Sequence, residues 1–401
     1  MTETKTQKTI LCAWEIGGEL GHISRFSAIT KTLELEGYHI VLAFKDLSRA
    51  YPLFRDTNAT LMQAPVWLPK ITMQRPIACL ADTLLCMGYL EDESLDCLVQ
   101  AWEAIVDLVK PDFVIFDYAP TAMLALINNP LPKILIGTGF ADPVSGQSIV
   151  DWRPYPTEDG LVQRQEEMVL ERINKVLGRR NQPRLTHMTE LFAVDHTVIS
   201  TFPELDLYSG RTSADYCVGP TSQLVNAKID FISGDRPRIL AYLKPAHPNI
   251  DMIIKALARC KASVFIACPK GAPDLFKPHV SNRFQFSTEL VDLQGAMGQV
   301  DLFVGHGNAS SCKESLAAGN PMVILPIQLE QLLTGRKLHE AGLGVLVEKI
   351  PGVDELVELL DYLLGNSDSY RVKIKKLLDR HPEPRLDVAE AINLAVKRLI
   401  P

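Results

Sequence analysis

The densest run of residues able to do chemistry is Asp301-Leu-Phe-Val-Gly-His306-Gly307-Asn308-Ala-Ser310-Ser311-Cys-Lys-Glu314, followed by Gly319, Pro321, Pro326 and then Glu330-Gln331. An apolar strand ends at Val304, Gly305-His306-Gly307 forms a tight turn, and a helix is expected from Ala309 or Ser310. Ser310 and Ser311 are good N-cap types, and Gly319 with Pro321 stops the helix. The first N–H groups of such a helix, with the positive end of its dipole, make an anion site suited to a diphosphate. His306 can add a donor, Glu314 about one turn into the helix can accept from ribose hydroxyls, and Glu330 beside Gln331 suits adjacent sugar hydroxyls. The plainer reading of His306-Gly307 is a turn between strand and helix.

A second constellation lies near the N-terminus. An apolar strand runs into Trp14-Glu15-Ile-Gly17-Gly-Glu19-Leu-Gly21-His22, and a helix is expected close to Ile23. The glycines permit a backbone turn near a ligand, but they fall at 17, 18 and 21, so no dinucleotide fingerprint is present. The positive end of a helix disfavours an imidazolium, so a histidine there can serve as a neutral base. Its orienting partner is expected to be Asp117, at the C-terminal end of the apolar run from Phe113. His22 as a loop cap and Asp117 as a helix cap are the competing readings. His39 is expected to start a strand, and Glu15 and Glu19 to be solvated, with contact to the acceptor as the alternative for either.

These residues must be carried by alternating strands and helices. Strands are expected at 9–13, 40–44, 113–116, 134–137 and 197–200, then at 238–242, 263–267, 283–286, 302–304 and 322–325. Helical periodicity covers 23–36, 95–110, 161–177, 250–259, 310–318 and 329–340. The pattern predicts an α/β protein with two Rossmann-like, doubly wound parallel-sheet domains facing across a cleft. The expected boundaries are 1–217, a linker at 218–236, a second domain at 237–386 and a C-terminal amphipathic helix within 387–401. The partner of that last helix is not evident from sequence; packing back on the first domain is one solution.

The 401 residues, 47% hydrophobic and 22% charged, suit two globular domains. A net charge of −7 argues against nucleic acid as the partner. The N-terminus lacks the long apolar region of a signal peptide, and no run approaches a membrane span, so a cytoplasmic chain without integral membrane association is expected. Eight scattered cysteines with no CxxC or zinc spacing read as reduced core thiols. No DxD occurs, so no essential metal is expected.

The segment from His306 to Gln331 resembles the donor-binding signature of the UDP-glucuronosyltransferase-like (UDP-glycosyltransferase) family, of the bacterial antibiotic and natural-product type. His306, Glu314, Gly319, Pro321, Pro326 and Glu330-Gln331 match that signature in spacing. Ser200-Thr-Phe-Pro-Glu-Leu-Asp206 with Val218-Gly-Pro220, and Gly21-His22 with Glu36-Gly-Tyr-His39, extend the likeness over nearly the whole chain. The resemblance implies the GT-B fold, an acceptor-binding first domain and a nucleotide-sugar-binding second domain. It carries the family's catalytic His and Asp over to His22 and Asp117. Donor contacts are then expected from Lys244, His306, Gly307, Asn308, Ser310, Ser311, Glu314, Glu330 and Gln331.

The implied reaction is a metal-independent hexosyl transfer by direct displacement, with inversion. His22 takes the proton of an acceptor hydroxyl and the nucleotide diphosphate leaves. The nucleotide-diphosphate sugar is a co-substrate, and no cofactor is expected. Asn308 and Ser310 stand where bacterial relatives carry glycine, and Thr288 stands near the place of the plant signature's tryptophan. Tyr242-Leu-Lys244-Pro245 replaces the usual Ser/Thr-rich turn, leaving Lys244 open as a phosphate contact or a surface lysine, and the base open between UDP and dTDP.

The acceptor should be decided by loops 63–87 and 138–159. Trp67, Met73, Phe140, Trp152 and Tyr155 there suggest an apolar pocket for a small lipophilic molecule, against ordinary loop packing. Rival functions are a membrane-surface lipid glycosyltransferase, a nucleotide-sugar hydrolase or epimerase, and a non-catalytic nucleotide-sugar-binding protein. The oligomeric state is not legible.

Overall fold

The computed structural model describes residues 7–18, 20–155, 158–219, 229, 231, 237–382 and 385–399. Most of the expected linker 218–236, and Glu19, lie outside the described residues. The chain divides into two compact units, Met1–Cys217 with Asp387–Pro401, and Val218–Leu386.

The first unit is built on six parallel strands: β1 (Thr9–Trp14), β2 (His39–Phe44), β3 (Thr60–Gln63), β4 (Phe113–Asp117), β5 (Lys133–Gly137) and β6 (His196–Ile199). Their order is β3-β2-β1-β4-β5-β6. The central strands are apolar almost without interruption because helices cover both faces of the sheet, so alternation would leave polar groups buried. Trp14, Phe26, Phe44, Phe113 and Ile115 are fully buried in one core. The helix Val388–Leu399 returns to this unit: Ile392 and Val396 join the same core, and the helix packs on helix Leu20–Leu35. Asn393 and Lys397 on its outer side bond to Glu36.

The second unit repeats the plan with β7 (Arg238–Tyr242), β8 (Ser263–Ala267), β9 (Phe284–Ser287), β10 (Leu302–Gly305), β11 (Met322–Ile324) and β12 (Gly344–Leu346), all parallel. The order β12-β11-β10-β7-β8-β9 is the same walk as in the first unit. In both sheets the chain reverses direction between the first and fourth strands, β1 and β4 in one, β7 and β10 in the other. Connections leave that point in opposite directions, opening a crevice at the C-terminal strand ends where such sheets bind ligands.

β3 and β12 were not expected from sequence. Each is a sheet edge of only a few residues, and β3 is partly exposed along its whole length, so neither carries a strong apolar pattern. The cysteines depart from the core-thiol expectation at two places: Cys97 is exposed and Cys86 half-buried, while the others are buried.

Candidate active site

At the first switch point, β1 and β4 run side by side with Trp14 opposite Asp117. Asp117 therefore ends its strand at the edge where the β1 loop turns into helix Leu20–Leu35. His22 lies in the first turn of that helix, and its Nδ1 sits 2.8 Å from Asp117 Oδ1. The Trp14 ring stacks against the imidazole at 5.3 Å and 20°. An ionised carboxylate only accepts, so the Asp117 contact puts the proton on Nδ1 and leaves the lone pair on Nε2. Nε2 faces Gly17: a Cβ there would lie 2.6 Å from it. Gly17 also has φ +88°, a conformation that side-chain-bearing residues rarely adopt. The turn thus needs glycine for its backbone and leaves the basic nitrogen uncovered.

Arg25 was not singled out from sequence, although it stands one turn beyond His22 on the same helix face. It is 4% exposed, and its guanidinium spans both oxygens of Asp117. Nη2 donates to Oδ2 at 2.7 Å and Oδ1 at 3.0 Å, and Nε to Oδ2 at 3.2 Å. Burial works to raise the Asp117 pKa, but the charge of Arg25, then His22, outweighs it and holds the carboxyl below its ordinary value. Arg25 Nη2 also lies 3.1 Å from His22 Nδ1; with the proton on Nδ1 this is an approach of two donors, not a hydrogen bond, and each donates to Asp117 instead. The arrangement is therefore a triad of imidazole, carboxylate and guanidinium.

Glu15 is not solvated as expected. It is 6% exposed, accepts from the Thr121 backbone N–H at 2.6 Å and from Trp102 Nε1 at 2.8 Å, and burial pushes its pKa up to about 7. The Ile16 N–H donates to Tyr118 O at 3.0 Å, so the β1 and β4 loops are tied together on either side of His22. Tyr118 takes a left-handed conformation, φ +49°, immediately after Asp117. His39 opens β2, as read from sequence.

At the second switch point, β10 ends at Gly305 and His306 follows, 1% exposed. The Lys244 backbone N–H donates to His306 Nε2 at 2.8 Å, and His306 Nδ1 lies 2.7 Å from Leu325 O. Because an amide N–H can only donate, Nε2 must carry the lone pair, and the Nδ1 proton goes to Leu325. Both ring nitrogens thus meet backbone groups, pinning the β7 loop to the ends of β10 and β11.

Gly307 has φ +98°, and a Cβ on it would meet Gln331 O at 2.6 Å. Asn308, not Ser310 or Ser311, is the N-cap of helix Ala309–Ala317. Ser311 lies within the first turn and spends its hydroxyl proton on Asn308 O at 3.1 Å. Gln331 is fully buried in helix Leu329–Glu340; its Nε2 donates to Asn308 Oδ1 and its Oε1 accepts from Ile327 N, both at 2.9 Å. Its carboxamide thus shapes the turn at both ends while keeping a second N–H and a second lone pair. Glu330, in the first turn of that helix, and Ser310 remain half-buried, and Glu314 is 8% exposed. The Lys244 side chain is half-exposed. The first-turn N–H groups of helix Ala309–Ala317 adjoin the His306 turn.

Of the acceptor candidates, Phe140 and Trp152 are brought together, stacked at 4.3 Å and 20°. Trp152 is 1% exposed, so it backs Phe140 and does not line an open surface itself. Trp67 packs over Gly88, and Tyr155 is 73% exposed. Among the described residues no group of three or more His, Cys, Asp or Glu is placed to hold a metal ion. Nor is any helix among them long and apolar enough to cross a membrane.

No protein-family model matches the chain. It is 26% identical over 322 residues to the NDP-glycosyltransferase YjiC of Bacillus subtilis (strain 168), spanning 75% of this chain and 74% of that protein. Among solved structures, CalG4, the calicheamicin glycosyltransferase, superposes with a TM-score of 0.72 at 16% identity, covering 98% of this chain and all of that one. Glycosyltransferase VinC, solved in complex with dTDP, gives 0.68 at 13% identity over 98% and 99% of the two chains. The two six-stranded parallel sheets are those of the GT-B fold. The chain therefore has the GT-B fold, and its sequence is similar to that of a bacterial glycosyltransferase.

Proposed function

We propose that this protein is an inverting, metal-independent glycosyltransferase that moves a hexose from a UDP- or dTDP-sugar to a hydroxyl of a small lipophilic acceptor. The observation that carries the reading is the His22–Asp117 contact of 2.8 Å, with Nε2 left basic beside Gly17. In the proposed reaction Nε2 takes the acceptor proton, the oxygen attacks the anomeric carbon, and the bond to the nucleotide diphosphate breaks on the opposite face. A single displacement converts an α-linked donor into a β-linked product. Asp117 stabilises the imidazolium as it forms, and Arg25 fixes the carboxylate that does so. The diphosphate is assigned to the N-terminus of helix Ala309–Ala317, with Lys244 as the nearby cation.

A nucleotide diphosphate as ligand is supported by the dTDP in the VinC structure and by the name of the Bacillus relative. The Phe140–Trp152 ring pair favours an apolar acceptor. The test has two parts. Purified protein is melted with UDP, dTDP, GDP, ADP and NAD; saturation at about a hundred times Kd adds about 2.7 kcal/mol. The stabilising nucleotide, as its sugar conjugate, is then offered with a panel of hydroxylated lipophilic acceptors. Sugar transfer that is lost in His22→Ala supports the reading. Donor consumption without any acceptor makes the protein a hydrolase or epimerase, and stabilisation by NAD alone rejects the glycosyltransferase.

A further inference from the structure

The loop leaving β7 contains a second histidine beside the His306 turn. His247 is 5% exposed and its ring stacks on His306 at 5.5 Å and 17°. The His247 backbone N–H donates to Lys244 O at 3.1 Å, closing a tight turn, and the Asn249 N–H donates to His247 Nδ1 at 3.0 Å. Nδ1 is therefore an acceptor, and the ring proton is on Nε2. Among the described residues no hydrogen bond from Nε2 to a protein acceptor is found. The ring is 5% exposed, and Nε2, which is not among the fully buried atoms lacking a partner, is left open to a ligand or water as its acceptor.

We propose that His247 is the side chain that donates to the nucleotide's phosphate in this unit, and that His306 is its positioning residue. The inference rests on the reading of the second unit as a nucleotide-sugar site. The two imidazoles have opposite tautomers because different backbone amides meet opposite nitrogens. His306 receives an amide on Nε2 and turns its proton inward to Leu325 O. His247 receives an amide on Nδ1 and keeps its proton for an outside acceptor. Parallel stacking holds the second ring against the first, and the first is bonded on one side to the loop after β7 and on the other to the residue after β11. His306 leads through Gly307 directly into the N-cap of helix Ala309–Ala317, so the acceptor that His247 meets is one attracted to that helix terminus: an anionic phosphate oxygen. Burial lowers the His247 pKa, so the ring acts as a neutral donor near pH 7.

The test measures binding of UDP and dTDP, and of uridine and thymidine, to the wild-type chain and to His247→Ala and His247→Gln. A hydrogen bond to a charged group lost on truncation should weaken diphosphate binding about 10-fold or more. Glutamine keeps an N–H donor and should recover part of that loss. Nucleoside binding should not change in either variant. Diphosphate affinity equal to wild type in His247→Ala overturns the assignment. So does a loss in His247→Ala that glutamine does not relieve, or one shared by the nucleosides, since a structural role would move all ligands together. A wild-type chain that binds none of the nucleotide diphosphates rejects the glycosyltransferase reading itself, and this inference with it.

Discussion

Replacing Arg25 with methionine keeps the length of the side chain and removes its charge and all its donors. Arg25 and Asp117 side chains are 5% and 2% exposed, so solvent screens their pairing very little. Breaking such a pair from one side leaves a buried carboxylate with His22 as its remaining side-chain partner, a loss of roughly 3–5 kcal/mol. For a unit of this size each kcal/mol moves Tm by about 2–4 °C, so Arg25→Met should melt roughly 6–20 °C below wild type at neutral pH. The pH dependence separates charge from packing. In the wild type the Asp117 pKa is lowered, so its stabilisation is present above the ordinary carboxylate value and lost as pH falls through the lowered one. Without Arg25, burial dominates and Asp117 prefers to be protonated in the folded state. The Tm gap should therefore be widest near pH 7 and narrow as the buffer is taken toward about pH 4, where carboxylates begin to protonate. Scanning both proteins by circular dichroism from pH 4 to about pH 8 checks this. A gap that stays constant with pH would refute the electrostatic account and leave Arg25 as a packing residue.

Further outcomes follow from the same geometry. Gly17→Ala puts a methyl carbon where His22 Nε2 is 2.6 Å away, so kcat should fall by at least about 10²-fold while donor affinity is kept; full activity would remove Nε2 from the reaction. Glu15 has a folded pKa raised from 4.5 to about 7, so wild-type stability should decline as pH rises through that window, whereas Glu15→Gln should not share the decline. The Tm difference between the two, followed across that window, would show no drift if Glu15 titrates normally. Phe140→Ala should raise KM for a lipophilic acceptor without changing KM for the donor; a donor-side effect would place the Phe140–Trp152 pair elsewhere.

The alternation of apolar runs and helical periodicity was enough to read two parallel-sheet units, because buried parallel strands cannot hide their composition. The strand, glycine turn and helix from Leu302 to Ala317 were legible for a related reason: they follow one another directly in the chain. His22 and Asp117 were legible as types at strand ends, though their 2.8 Å contact joins positions far apart in sequence and depends on β1 lying beside β4. Local pattern could not supply the partners. Arg25, Glu15 and His247 acquire their roles only from what the fold sets against them, a carboxylate, an indole and amide N–H, and a stacked imidazole. The same is true of the tautomers. Nothing in the string His306-Gly307 says which ring nitrogen holds the proton; the amide of Lys244, delivered by the neighbouring strand β7, decides it. The sequence alone determined which residue types stand at the strand ends. Tertiary structure decided which polar groups meet there, because hydrogen bonding is short-ranged and directional and the strands that bring these groups together are separated along the chain.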